Sequence, residues 1–352
     1  MLAKRVEGLP KGEAWLFEPK WDGFRVLVFR DGDRVRLQSR DLKPLDRYFP
    51  ELQEPLLRQL PSQCVLDGEI VIARRTVSGS SLDFDALSMR IHPAASRVKA
   101  LSEQLPASIV FFDLLAAEGR VLQLQPLEVR RAELERLLRN SEPPLHLTPA
   151  TQDRAMAEEW FTRFEGAGLD GVMAKRLDAP YVPGKRTMLK VKHERDCDCV
   201  VAGFRWHKDG RDTLVGSLLL GLYNDEGLLQ HVGVCSSFTA DRRRELVEML
   251  APYRKDALED HPWAGWAAAD AGADGQRMPG GKSRWTGTKD LSWVALRPEL
   301  VVEVTYEHMQ GDRFRHLAHF RRWRPEKSPR ECTYSQLEVV APAELALLFG
   351  AG

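Results

Sequence analysis

The chain has 352 residues, of which 43% are apolar and 29% are charged. This length exceeds one ordinary domain and predicts two, each large enough to bury its own core. Lysine plus arginine and aspartate plus glutamate both total 51, which disfavours a histone-like basic protein but not a local basic surface.

Composition also bears on location and on cysteine chemistry. No run of about 18 apolar residues is present, so no membrane helix or membrane partner is predicted. Residues 1–7 lack the apolar core of a secretion signal, which predicts a cytoplasmic protein. The five cysteines have no framework spacing and are typical of reduced thiols. Cys197 and Cys199 have no second nearby ligand pair, which favours buried thiols over a metal site.

The first segment with chemical character surrounds Lys20. This lysine lies between two β-prone segments, residues 15–17 and 24–29, with an aspartate and an arginine close by in the sequence. A lysine in such a strand-turn-strand is either a nucleophile or an ordinary solvated side chain. The segments that follow it decide between these interpretations.

Residues 24–30 and 34–40 alternate apolar and polar side chains around Asp31-Gly32-Asp33, which predicts a β-hairpin. The hairpin would bring Arg40 back towards the lysine. Apolar residues then repeat at helical spacing from Leu45 to Leu60, which predicts a stripe that faces the core.

Two strands with chemical candidates come next. Residues 64–73 read as a strand with Asp67-Gly68-Glu69 in its middle, and a buried carboxylate there needs a cation, a hydroxyl group or a metal. Residues 109–115 are continuously apolar and predict a buried strand. Alternation along that strand sends Phe111 and Phe112 to opposite faces.

Scaffold helices and a pair of lysines complete the first half. Pro126 opens an amphipathic helix that runs to Arg139, and residues 155–164 predict another. Lys190 and Lys192 alternate on a predicted strand, so both should lie on one face.

A polar break at residues 193–196 predicts a hinge, with domains at residues 1–193 and 194–352. Five strands are predicted after it, with a helix capped by Thr239 between the third and fourth. This is the layout of an OB-fold, a small β-barrel that often binds nucleic acid. Residues 262–287 predict either a disordered insertion or a loop that contacts DNA.

A basic track follows in the last part of the chain. Asp312 and Glu326 are the acids near it, which favours phosphate binding over a solvated strand. Its seven cations are Arg313, Arg315, Arg321, Arg322, Arg324, Lys327 and Arg330.

The residues from Lys20 to Arg25 resemble the first motif of the covalent nucleotidyltransferases, which include ATP-dependent DNA ligases, RNA ligases and mRNA capping enzymes. With Glu18 and Pro19, the wording is similar to bacterial stand-alone ligases called ligase C and to the ligase domains of end-joining enzymes. Later motifs follow in family order, at residues 67–69, 109–115, 170–175, 188–192 and 313–327. Two departures are present, because Asp170 replaces the usual glutamate and Glu326 the usual aspartate.

The resemblance implies an α+β fold, in which a nucleotidyltransferase domain with antiparallel sheets and flanking helices precedes an all-β OB-fold domain with one helix. It implies an ATP-dependent DNA ligase that seals nicks in duplex DNA through lysyl-AMP and 5′-adenylated DNA intermediates. The expected cofactors are ATP and Mg²⁺ or Mn²⁺, and the expected partner is nicked double-stranded DNA. A monomer that acts in DNA repair, in the bacterial cytoplasm or nucleoid, is also expected, with any repair partner proteins unspecified.

Roles also follow from the resemblance. Lys20 would attack the α-phosphorus, Lys190 and Lys192 would neutralise the α-phosphate, and Lys327 with Arg324 would orient the leaving group. Glu69 would bind the ribose, Phe112 would stack on the purine, and Glu69 and Asp170 would hold the metal. The further nucleotide contacts implied are Glu18, Arg25 and Arg40.

Two alternatives stay open at this point. An mRNA capping guanylyltransferase or an RNA ligase shares the lysine motif, and labelling by ATP or GTP would separate the capping enzyme from a DNA ligase. A non-enzymatic OB-fold nucleic-acid-binding protein is the second alternative. The presence of Lys20, Glu69, Lys190 and Lys192 disfavours it.

Overall fold

The computed structural model describes residues 1–76, 79–265 and 292–337. The chain separates into two compact units, the first Met1–Lys192 and the second beginning at His193. Within the described ranges, no helix combines the length and the apolar character that a membrane crossing requires. Most of the predicted insertion at residues 262–287 lies outside the described residues.

The first unit mixes strands and short helices. Its strands are β1 (Leu2–Arg5), β2 (Trp15–Pro19), β3 (Phe24–Asp31), β4 (Arg34–Ser39), β5 (Gln63–Val71), β6 (Ala73–Thr76), β7 (Gly79–Leu82), β8 (Ser108–Ala117), β9 (Arg120–Val121), β10 (Leu145–Leu147), β11 (Val172–Arg176) and β12 (Arg186–Val191). Its helices are α1 (Gln53–Gln59), α2 (Phe84–Met89), α3 (Ala95–Gln104), α4 (Leu127–Leu138) and α5 (Arg154–Arg163).

Two main sheets organise this unit. One has the strand order β1-β12-β11-β2, and the other has the order β10-β8-β5-β3-β4 with β9 paired to β8. Pairing is antiparallel except between β1 and β12 and between β10 and β8. Strands β6 and β7 form a separate hairpin. These antiparallel sheets with flanking helices confirm the predicted α+β class.

Local patterns near the start of the chain are confirmed, with one difference in detail. The β3–β4 hairpin turns at Gly32, whose φ of 58° suits glycine. The apolar stripe from Leu45 to Leu60 is buried. Instead of one long helix, it is carried by two 3₁₀ turns, Asp46–Tyr48 and Pro50–Leu52, followed by α1.

The second unit is the predicted β-barrel. Its elements are β13 (Arg195–His207), β14 (Gly210–Tyr223), β15 (Leu229–Cys235), α6 (Ala240–Arg254), β16 (Val294–Tyr306), β17 (Met309–Gln310), β18 (Arg313–Phe314) and β19 (His319–Trp323).

Five of these strands form one sheet in the order β15-β14-β13-β16-β19. A bridge between Cys235 and Ala318 joins the two ends of the sheet, which closes it into a barrel. The side chain of Thr239 caps α6 by accepting from the Arg242 N–H at 3.3 Å. The OB-fold with one helix is therefore confirmed, while the small β17–β18 hairpin was not predicted.

All five cysteines are buried and free, as the sequence predicts. Cys197 and Cys199 lie with their sulfur atoms 3.6 Å apart. In the described part of the chain, no cluster of three or more His, Cys, Asp or Glu side chains could hold a metal ion. The thiol interpretation of this pair is therefore favoured by the structure.

Candidate active site

Lys20 follows the end of β2 and is fixed by its backbone to the loop before β11. Its N–H donates to the Gly171 carbonyl at 2.8 Å, and its carbonyl accepts from the Asp170 N–H at 2.9 Å. The Lys20 side chain, 21% exposed, forms an ion pair with the Asp170 carboxylate. Lys192 reaches the same carboxylate oxygen at 3.1 Å. One buried carboxylate thus contacts both lysines.

Two glycines allow this close packing. Gly171 has a φ of +116°, and a Cβ placed on it would lie 2.0 Å from the Val191 carbonyl oxygen at the end of β12. A Cβ on Gly23 would lie 2.1 Å from the Ile70 carbonyl oxygen on β5. Each glycine lets one backbone approach another, which holds the loops around Lys20 against both sheets.

Beneath the lysine, Asp67 is fully buried on β5. Arg25 binds both of its carboxylate oxygens, at 3.0 and 2.6 Å, and the Tyr181 hydroxyl donates to it at 2.8 Å. Burial opposes the charge of Arg25, but the paired carboxylate outweighs that effect and its pKa is raised. Burial and the nearby carboxylate also raise the pKa of Tyr181.

The sequence predicts Tyr181 only as part of a loop, and its role in this network was missed. Its partner Asp67 is 114 residues away in the chain. Nothing in the local sequence distinguishes this tyrosine from an exposed loop residue, so the contact could be found only in the fold.

Glu69, predicted to bind the ribose and the metal, lies in register with Arg25. Burial raises the pKa of its carboxyl to about 7, while the charges of Lys20 and Arg25 act in the opposite direction. The Gly23 N–H also donates to this carboxyl and favours its ionised form. A bound cation would favour the ionised form further.

The donor set suits magnesium or manganese only in part. Glu69 and Asp170 offer carboxylate oxygens, the ligand type that magnesium prefers, and this ion usually keeps several waters. Within the described residues there is no cage of three or more ligating side chains. The residues therefore fit an ion shared with a phosphate-bearing ligand, not a site closed by protein alone.

Phe112 and Phe111 occupy opposite faces of β8, as alternation predicts. Phe111 is fully buried in the core of the first unit, while Phe112 is half-buried. The Lys175 ammonium lies 4.6 Å from the centre of the Phe112 ring, and the Arg25 guanidinium lies 5.8 Å from it. Phe112 is thus an aromatic side chain with cations around it and part of its surface accessible.

Glu18 is almost fully buried at 2% exposure and forms an ion pair with Lys175 at 2.7 Å. Arg131 on α4 lies 3.6 Å from its other carboxylate oxygen. Neither Lys175 nor Arg131 was singled out by the sequence, because a lysine at a strand end and an arginine on a helix ordinarily face solvent.

The remaining candidates of the first unit lie at different depths. Lys190 is in register with Met173, which is in register with Glu18, so these three residues form one row across the sheet. Met173 had no role in the sequence prediction. Arg40 lies beyond β4, where it is mostly exposed and pairs with Asp41 at 3.5 Å.

The second unit brings Arg324 and Lys327 together. The Lys327 ammonium lies 2.7 Å from Asp198 on β13, and Arg324 lies 3.0 Å from the same carboxylate. Arg324 also contacts Glu303 at 2.8 Å. The bond to Asp198 raises the pKa of Lys327, which keeps this ammonium charged.

These contacts change the interpretation of the basic track. Its own sequence window contains few acids, but β13 and β16 place carboxylates beside it. Arg322 pairs with Glu303 at 2.8 Å and Arg321 with Asp196 at 3.7 Å. Four of its seven cations, these two with Arg324 and Lys327, are therefore already paired with carboxylates, and the local excess of charge is smaller than the sequence suggests.

A mixed-sheet domain with flanking helices, followed by a closed five-stranded barrel with one helix, defines the class of nucleotidyltransferases that carry a C-terminal OB-fold domain. Residues 1–192 match the family model described as ATP dependent DNA ligase domain, and residues 211–327 match the one described as ATP dependent DNA ligase C terminal region. The chain belongs to the ATP-dependent DNA ligase family.

Individual relatives agree with this membership. The chain is 53% identical over 338 residues to DNA ligase C2 of Mycolicibacterium smegmatis, covering 96% of this chain and 93% of that protein. It is 51% identical over 344 residues to DNA ligase C of Mycobacterium tuberculosis, with the same two shares. The chain is thus a DNA ligase, which decides against a capping enzyme, an RNA ligase or a non-enzymatic OB-fold protein.

A solved structure from work on the Lig E DNA ligases, described as binding DNA with a minimal scaffold, supports the fold. That chain is 17% identical, with a TM-score of 0.53, and the match covers 91% of this chain and 100% of that one. At this identity the likeness shows the shared architecture alone.

Proposed function

We propose that this ligase seals nicks in duplex DNA during repair, through a covalent adenylate on Lys20. The observation that carries the proposal is the placement of Lys20 against Asp170 and Lys192, with Glu69 close enough for the lysine charge to influence its pKa. A partly exposed amine surrounded by charged groups is suited to nucleophilic catalysis.

Three transfers follow. The Lys20 amine, after losing its proton, attacks the α-phosphorus of ATP, forms a P–N bond and expels pyrophosphate. The AMP then passes to the 5′-phosphate at a nick, which breaks the P–N bond. Finally the 3′-hydroxyl attacks that 5′-phosphate and releases AMP. In such transfers the protein contributes alignment and charge neutralisation.

In this proposal the first domain, residues 1–193, holds the nucleotide. Phe112 stacks on the purine, Glu69 binds the ribose, and Lys190 and Lys192 neutralise the α-phosphate. Glu18, Arg25 and Arg40 complete the contacts to the nucleotide and the DNA end. Mg²⁺ or Mn²⁺, held by Glu69 and Asp170 with phosphate oxygens, would neutralise developing charge when bound.

The second domain, residues 194–352, supplies Arg324 and Lys327 for the first transfer and a basic surface for DNA. Lys327 would leave Asp198 to orient the pyrophosphate. Binding to nicked DNA through phosphates would show little sequence preference. We propose that the enzyme acts as a monomer.

The test is covalent labelling with radioactive ATP, and with GTP in parallel. Lys20→Ala should abolish labelling, and Lys20→Arg should do so too, because a guanidinium stays protonated. Lys185→Ala, which changes an exposed loop lysine, is the matched control and should label normally. Robust labelling of either Lys20 variant would show that another residue is the nucleophile.

A further inference from the structure

Lys175 is a buried charge that the proposed chemistry does not use. Its side chain is only 3% exposed, although lysine is among the residues least often buried. It lies on β11, after the Asp170-Gly171 pair that contacts Lys20. Such burial is costly unless the charge has partners, so the partners of Lys175 indicate what it does.

Its ammonium has three contacts. It forms the ion pair with Glu18 at 2.7 Å, donates to the backbone carbonyl of Phe112 at 3.2 Å, and lies 4.6 Å from the centre of the Phe112 ring. One group therefore fixes a carboxylate on β2 relative to an aromatic side chain on β8, although these strands belong to different sheets.

Glu18 itself is only half satisfied. Its Oε2 atom faces Lys175, while Oε1 has no hydrogen-bond partner among the described residues. Arg131 Nη1, at 3.6 Å, has no hydrogen-bond partner there either. A buried acceptor without a donor is unusual in a native protein and indicates a group that becomes satisfied when a ligand binds.

Resting on the proposed function, we propose that Lys175 is a positioning residue for the purine of ATP, acting through Glu18 and Phe112. The ammonium keeps the Glu18 carboxylate ionised and oriented beside the aromatic ring. An ionised carboxylate accepts from the exocyclic amine of adenine, whereas guanine carries a carbonyl oxygen at that position and would be repelled. Lys175 thereby sets the preference for one purine over the other.

The experiment measures self-labelling of the full chain with ATP and with purine riboside triphosphate, which lacks the exocyclic amine. Lys175→Met keeps the length of the side chain and removes its charge. We expect its preference for ATP over the analogue to fall about tenfold or more, the size of one charge-assisted hydrogen bond. The KM for ATP should rise more than kcat falls, because the base is bound before the transition state.

Two variants make the result decisive. Arg176→Met changes the neighbouring residue on β11, which is partly exposed and pairs with Asp178, and it should keep the wild-type preference. Glu18→Gln should lose the preference, and Glu18→Gln with Lys175→Met should lose no more than Glu18→Gln alone. Since the double variant removes both charges together, it also serves if Lys175→Met fails to fold.

A wild-type preference in folded Lys175→Met, or in the double variant, would overturn the inference. A further loss in the double variant beyond Glu18→Gln would show that Lys175 acts independently of Glu18 and would overturn it as well. Failure of the wild-type chain to label with ATP would instead contradict the proposed function. The two failures are therefore distinguishable.

Discussion

At Asp170, one short carboxylate contacts two lysines that arrive from different parts of the chain. The family usually has a glutamate here, and the loss of one methylene should shorten the reach of the side chain. Gly171 accounts for the retained contact, because without a Cβ the backbone approaches the end of β12 closely. The departure in sequence is thus accompanied by a close backbone approach.

Glu69 should make stability depend on pH. Its folded-state pKa of about 7 lies above the ordinary value of 4.5, so the folded state binds more protons between these values. The free energy of unfolding should therefore fall as pH rises from about 4.5 to about 7, by up to about 3 kcal/mol.

Urea unfolding of the wild type and of Glu69→Gln at pH 5 and pH 7.5, without nucleotide or metal, measures this effect. The variant has no ionisable group at this position, so the wild type should lose stability relative to it as pH increases. A constant difference between the two proteins at both pH values would contradict the raised pKa.

Phe112→Ala should raise the ATP concentration needed for labelling by about tenfold or more, since base–aromatic stacking contributes roughly 1–3 kcal/mol. The rate at saturation should change less, because stacking precedes the transition state. Phe111→Ala is the control from the opposite face of β8 and should instead cost about 3–5 kcal/mol of stability. If the two phenotypes are exchanged, the assignment of faces is wrong.

At the scale of elements, the site depends on how closely the loop before β11 approaches β12. This loop is anchored by the two backbone hydrogen bonds between Lys20 and the residues Asp170 and Gly171. Strand β2 then pairs with β11 over its full length. The position of the nucleophile therefore follows from sheet geometry, not from the lysine side chain alone.

Gly171→Ala should destabilise the protein by at least roughly 2–3 kcal/mol, because its φ of +116° is strained for alanine. Its Cβ would also meet the Val191 carbonyl at 2.0 Å, which adds a steric clash. Gly8→Ala, where a Cβ meets nothing within 4 Å, is the matched control. Thermal unfolding compares them, and equal melting temperatures would show that the loop can relax.

Elements with a local signal could be predicted from the sequence. Alternation was enough for the β3–β4 hairpin, and continuous apolarity was enough for β8. Strand β1 has four residues, too few for a periodic pattern, and α2 has six. The register across β11 was also beyond reach, since it depends on pairing with two distant strands.

At the scale of the molecule, the site residues divide between the two units. Lys20, Glu69 and Asp170 belong to the first unit, while Arg324 and Lys327 belong to the second. The sequence predicts these residues from family motifs, but not that Asp198, 129 residues before Lys327 in the chain, binds that lysine. Partners this distant carry no local signal.

Lys327→Ala should abolish self-adenylation yet still seal a nick that already carries AMP on its 5′-phosphate. The physical reason is that Lys327 would orient pyrophosphate, which is present only in the first transfer. The second domain would have to move between steps, and such hinge closures can assemble a site for one step. Gel assays with ATP and with pre-adenylated nicked DNA measure the two activities.

Lys190→Ala is the matched comparison, because the α-phosphate that it would hold takes part in both reactions and both should be impaired. Truncation after Lys192 should remove DNA sealing altogether. Equal loss of both activities in folded Lys327→Ala would mean that this lysine acts throughout the reaction or is structural, and domain movement would not be needed to explain it.

The contacts around Lys20 have a consequence for folding. Asp170 lies 150 residues from Lys20 in the chain, and Tyr181 lies 156 residues from Arg25. Contacts of such high order require large loops to close before their energy is gained, and they slow folding. The hairpin next to the nucleophile can form early, but its charged partners join only after a long stretch of chain has been synthesised. The catalytic lysine is therefore close to the start of translation but among the last parts of its domain to be completed.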